Sequence, residues 1–73
     1  MNRIVVIGEP GRTRGFRLAG ATVMEADGPA ELDRAWTNLP SDTTLLILTH
    51  RAADRLRDPL SARSRLPWAV MPE

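Results

Sequence analysis

The chain has 73 residues, of which 42% are apolar and 26% charged, with ten basic residues, nine acidic residues and a formal charge of +1. That balance excludes a disordered chain and gives no electrostatic case for nucleic acid or an anionic membrane surface. There is no cysteine and only one histidine, so neither a disulfide framework nor a zinc site can be built.

All ten basic residues are arginine, and Arg3, Arg12, Arg14 and Arg17 make the N-terminal quarter locally basic. The length suits one domain, residues 1–73. A domain of this size buries only about 60% of the surface its unfolded chain exposes, so a partner or a second copy is expected to support it. The N-terminal apolar run Ile4–Ile7 is too short for a signal-peptide core or a membrane span.

Arg3 to Gly8 reads as a strand whose four central residues are continuously apolar, as in a parallel strand buried on both faces. Glu9-Pro-Gly11 punctuates it. A short helix follows from Arg12 to Ala19, stopped by Gly20, with Phe16 and Ala19 on one side and Gly15 available for close packing on the sheet. Ala21 to Ala26 is a weaker strand. Asp27-Gly-Pro29 then opens a helix in which Leu32, Ala35, Trp36 and Leu39 recur at i, i+3, i+4 and i+7, with Glu31 and Arg34 paired outside and Pro40 at the end.

Thr43 to Thr49 is the most apolar strand and belongs at the centre of a sheet. Thr49 can cap a helix from His50 to about Arg57, stopping near Pro59, with Ala52, Ala53 and Leu56 as its buried stripe. Arg55, Arg57, Arg63 and Arg65 read as a solvated face. Leu66 to Met71 is a final strand, and Pro67 suits it to an edge.

The order β-α-β-α-β-α-β implies a parallel sheet with right-handed crossovers and strand order 2-1-3-4, a small flavodoxin-like α/β fold. The first helix then lies on one face and the others on the opposite face. Half of the first face, over the third and fourth strands, has no helix of its own. A partner or a second copy is expected to cover it.

Familiar chemistries do not fit. Gly8-Glu-Pro-Gly11-Arg-Thr13 has the wrong glycine spacing for a phosphate loop and puts arginine in place of its lysine. A phospho-receiver would need an acidic cluster after the first strand and an aspartate ending the third, where Glu9 stands alone and Thr49 occurs. Thr49, His50 and Asp54 gather at the carboxyl end of the third strand, which leaves a small-enzyme reading open. No cofactor or metal is implied.

The stretch Gly15-Phe-Arg-Leu-Ala-Gly20 resembles the signature of the F subunit of V-type and A-type ATPases and ATP synthases, with Val6-Ile7-Gly8 ahead of it and Glu9 to Arg14 between. Leu45 to Arg57 is similar to the family's third strand and following helix, and Leu66-Pro67 to Met71-Pro72 is similar to its last strand. The chain departs from the family in having one acid, Glu9, in the first loop. It also stops at Glu73, where members continue into a C-terminal helix, so a short or truncated member lacking that helix is expected.

The resemblance implies a non-catalytic component of the central stalk, held by the coiled-coil D subunit inside the A/B catalytic head. Such a component contributes to coupling ATP hydrolysis or synthesis to proton or sodium transport. It lies in the cytoplasm, peripheral to the membrane. Arg14, Arg17, Trp68 and Val70 are the expected partner contacts, with a homo-oligomer in isolation. The alternative is a receiver-like interaction module that dimerises through its last strand.

Overall fold

The structure is a computed structural model and describes residues 2–18, 20–63 and 65–72. Its elements are β1 (Arg3–Gly8), α1 (Pro10–Leu18), β2 (Thr22–Glu25), α2 (Pro29–Thr37), β3 (Thr43–Leu48), α3 (His50–Arg55), α4 (Arg57–Ala62) and β4 (Trp68–Val70). The sheet order is β2-β1-β3-β4 and every pairing is parallel, as the alternation of strands and helices requires.

The central position of β1 follows from its composition. Val5, Val6 and Ile7 have no exposed surface, because the strand is covered on both faces and paired on both edges. Val5 and Ile7 pair with Leu46 and Leu48 of β3, and these four join Leu32 and Ala35 of α2, Ala52 of α3, Leu56 and Leu60 in one core. Fully burying a side chain such as Leu46 or Ile7 stabilises by about 1.5–3 kcal/mol. Helices α2, α3 and α4 therefore share one face. Val6 lies outside that core, on the face that α1 covers.

Among the boundaries that differ from the sequence expectation, three have a local reason. Helix α1 starts at Pro10 rather than Arg12, since proline is pre-set for the first helical position. Its C-terminus closes as expected at Gly20, whose φ is +90°. The Gly20 and Ala21 amides donate to the Arg17 and Phe16 carbonyls, each at 3.2 Å, which is the Schellman pattern. Ala19, expected on the apolar side, lies outside the described residues.

The second difference is Pro59. Rather than stopping the third helix, it sits at the third position of α4. In a first turn the missing amide has no intrahelical partner to lose. The break falls at Leu56, which anchors both turns: its amide donates to the Ala52 carbonyl at 3.0 Å, and its carbonyl accepts from the Leu60 amide at 2.9 Å. Third, β4 is shorter than expected and begins after Pro67, whose carbonyl accepts from the Leu46 amide at 3.0 Å.

Gly15 corrects another expectation. A Cβ built there meets nothing within 4 Å, so no close packing calls for glycine. The tight position is Gly8, where a Cβ would lie 2.9 Å from Thr49 Oγ1, 3.1 Å from Thr13 Cγ2 and closer still to Thr49 Cγ2.

Candidate interaction surface

Two places in the fold could carry function: the carboxyl edge of the sheet and the part of the α1 face that α1 does not reach. At the carboxyl edge, the connections leaving the paired strands β1 and β3 run to helices on opposite faces, the usual position of an α/β ligand crevice. Here Thr13 and Thr49 close over Gly8, and both threonines are buried. The Thr49 hydroxyl donates to Glu9 Oε1 at 2.6 Å and accepts from the Ala52 amide at 3.3 Å, capping α3 as expected. The Glu9 carbonyl accepts from the Arg12 amide at 3.0 Å and the Thr13 hydroxyl at 3.4 Å.

The Thr49 hydrogen bond holds the Glu9 carboxyl below its ordinary value of 4.5, helped by the charges of Arg51 and Arg12 and opposed by partial burial. Thr49 is thus committed to Glu9 rather than to His50 and Asp54. The Asp54 carboxylate accepts from Arg57 at 3.3 Å. Thr49 and His50 stand together at the end of β3, but the single hydroxyl proton of Thr49 is spent on Glu9. Among the described residues no group of three or more His, Asp or Glu could hold a metal ion.

The polar surface of α2 and α3 is used for internal bracing. Arg55, expected to be solvated, forms a fork on Asp33 with distances of 3.1 and 2.6 Å, and Arg51 reaches Asp27 at 3.1 Å. The fork holds Asp33 below 3.8 and raises Arg55. Glu31 does not follow its expected pairing with Arg34: its carboxylate accepts from the Asp27 amide at 2.8 Å, at the uncapped start of α2. Trp36 packs on the core under the Arg63 guanidinium, 5.6 Å from the ring centre.

The open region lies on the α1 face. Ile4 pairs with Leu45, Val6 with Ile47, and Ile47 with Ala69, so these side chains share that face. Exposure rises across it: Val6 is fully buried, Ile47 and Leu45 are half-buried, and Ala69 is exposed. Ile4, at the amino end, is 44% exposed. A hollow of about 430 Å³ lies beside Ile4, Phe16 and Ile47, rimmed by the Arg3–Asp42 ion pair at 2.9 Å. At the opposite end Arg12 of α1 donates to the Pro72 carbonyl at 3.4 Å, across from the buried Met71. Among the described residues, half of this face is therefore an apolar floor without a helix over it.

The four residues expected to touch a partner do not form one surface. Arg14 is exposed on α1, while Arg17 reaches toward the β2 side, 3.7 Å from Glu25. Trp68 and Val70 pair with Leu46 and Leu48, so they belong to the α3 face and not to the open half-face. They border a hollow with His50, Ala53, Asp54 and Arg57. A shift of one residue in a strand exchanges its faces, and the register of β4 is set by a pairing that the sequence does not display. The floor residues Leu45, Ile47 and Ala69 were missed because their face follows from the pairing of β1, β3 and β4, for which the sequence carries no signal.

Residues 4–70 match the family model described as ATP synthase (F/14-kDa) subunit. The chain belongs to that family. It is 40% identical over 63 residues to the F subunit of the A-type ATP synthase of Methanococcus maripaludis strain S2, covering 82% of this chain and 64% of that protein. The F subunit of strain C6 is 37% identical over 67 residues, covering 88% of this chain and 68% of that protein. This ATP synthase F-family chain thus spans a little under two thirds of the length of the strain S2 relative. The crystal structure of the F subunit of the V-type ATP synthase of Archaeoglobus fulgidus superposes with a TM-score of 0.79 at 20% identity, over 97% of this chain and 98% of that one. At that identity the likeness is one of fold. Among the described residues of the family member, no helix is long and apolar enough to cross a membrane.

Proposed function

We propose that this chain is the F subunit of an A/V-type ATP synthase, acting as a non-catalytic element of the central stalk. In this reading it lies against the coiled-coil D subunit, within the A/B head, on the cytoplasmic side and peripheral to the membrane. It contributes to coupling ATP hydrolysis or synthesis to proton or sodium movement. The observation that carries the reading is the apolar half-face of Ile4, Leu45, Ile47 and Ala69 in a member of this family. Such a floor accepts the apolar stripe of a long helix, which a rotor shaft supplies. Arg14 and Arg17 stand on the exposed side of the neighbouring helix and serve as rim contacts for acidic groups of that partner. Trp68 and Val70 contribute to a partner contact only around the β4 edge.

The test is complex formation with the long helical stalk protein of the same organism. Size-exclusion chromatography is expected to show a one-to-one complex. Ile4→Asp, at an exposed floor position, is expected to weaken it by tenfold or more, equivalent to about 1.4 kcal/mol. Replacing Arg14 and Arg17 by glutamate is expected to slow association at low salt and to flatten or invert its salt dependence. No complex with any soluble component of the synthase would sink the assignment.

A further inference from the structure

The structure points to a second, separate interface: we propose that the open edge of β4 pairs antiparallel with the β4 of a second copy of this chain, about a two-fold axis at Ala69. The inference does not rest on the stalk reading, because its hydrogen bonds come from the backbone edge of β4 and its main side-chain contacts from Trp68 and Val70 on the α3 face.

The argument begins with the backbone of β4. Its bonds into β3 come from alternate residues: the Pro67 carbonyl accepts from Leu46, and the Met71 amide donates to Leu48. Alternation therefore turns the amides and carbonyls of Trp68 and Val70 outward, to the side with no neighbouring strand in the sheet order. The two outward pairs are complementary to themselves. With an axis at Ala69, Trp68 stands opposite Val70 of the second copy, and each exchanges both bonds with the other. All four outward groups on each copy are then satisfied.

Side chains agree with that register. Ala69 meets its own copy at the non-hydrogen-bonded position, where strands come closest and a small residue fits. Trp68 and Val70, exposed by 46% and 36%, meet Val70 and Trp68 of the second copy on the α3 face. An aromatic against a β-branched residue is a favourable cross-strand pair. The edge also lacks the usual protection. No charged residue occurs from Leu66 to Pro72, and only Pro67 and Pro72 bound the run.

The size of the contact sets its strength. A stable interface buries about 600 Å² or more from each copy, whereas this chain exposes 4827 Å² in all and β4 is three residues long. The expected dimer is weak and depends on concentration, with β4 and the neighbouring surface of α3 as its contact.

Sedimentation velocity across a thousandfold concentration range is expected to show a monomer passing into a dimer. Val70→Pro removes an outward amide and leaves the β3 ladder intact; it is expected to abolish the dimer while keeping the monomer's circular dichroism. The chain has no cysteine, so single-cysteine variants report geometry directly. Ala69→Cys is expected to form an oxidised dimer at least tenfold faster than Ala30→Cys, which lies on the exposed surface of α2. This comparison stands even if Val70→Pro fails to fold. A monomer at every concentration, a dimer that survives in folded Val70→Pro, or equal oxidation of the two cysteine variants each overturns the proposal.

Discussion

Thr49 concentrates three duties in one hydroxyl-bearing side chain. It caps α3, holds the Glu9 carboxylate and fills the space over Gly8. Thr49→Val keeps the shape and removes both hydrogen bonds. We expect a loss of about 2 kcal/mol in a urea melt, combining a lost cap with a lost bond to a charged acceptor. The same residue makes acid behaviour readable. Glu9, Asp33 and Asp42 all have carboxyls held below their ordinary values by hydrogen bonds from Thr49, Arg55 and Arg3 respectively. In each case the unfolded chain binds a proton first as pH falls. Their stabilisation is complete above about pH 5 and is lost as pH falls through the folded values, below 4.5 for Glu9 and below 3.8 for the two aspartates. Glu9→Gln is expected to flatten the stability profile between pH 5 and the acid limit, measured by denaturant midpoints. The cap at Thr49 was legible in the sequence, because threonine precedes a helical run. Its bond to Glu9 was not, since 40 residues separate them and only the fold sets the distance.

At the scale of elements, two glycines of α1 and its approach separate packing from propensity. Gly8→Ala would press a methyl group onto Thr49 and Thr13. Overpacking of this kind costs about 1–3 kcal/mol. Gly15→Ala meets nothing and is expected to stabilise by up to about 1 kcal/mol through helix propensity. Thermal midpoints of the two variants should move in opposite directions. Strand order and the existence of every strand were legible, because β1 and β3 are continuous apolar runs and the helices between them force parallel pairing. The split of the third helix at Leu56 was not legible. Proline reads as a stop in sequence, yet at the third position of α4 it is compatible with a helix start. The face of each β4 residue was also hidden, since three residues with apolar neighbours on both sides carry no alternation to read.

For the molecule as a whole, stability and association are linked. A chain of 73 residues with an uncovered apolar half-face has a modest reserve, about 4–11 kcal/mol on the usual scale per residue. A partner that binds only the folded form raises that reserve by mass action. At a stalk-partner concentration one hundred times its Kd, the gain is about 2.7 kcal/mol. The thermal midpoint of the wild-type chain is expected to rise accordingly, and Ile4→Asp to lose the rise. The half-bare face was anticipated from topology alone, because one helix cannot span four strands. The residues that form it depend on register.

The central place of β1 also governs how the polypeptide reaches its native form. Arg3 to Ile7 must wait for residues 43–48 before its second flank is occupied, a separation of about forty positions along the chain. Pairings so distant close large loops and slow the search. During synthesis β1 remains paired on one edge alone until residues 43–48 have followed it from the ribosome. A nascent segment of that kind is sticky, and a chaperone or a waiting assembly partner would find its target there.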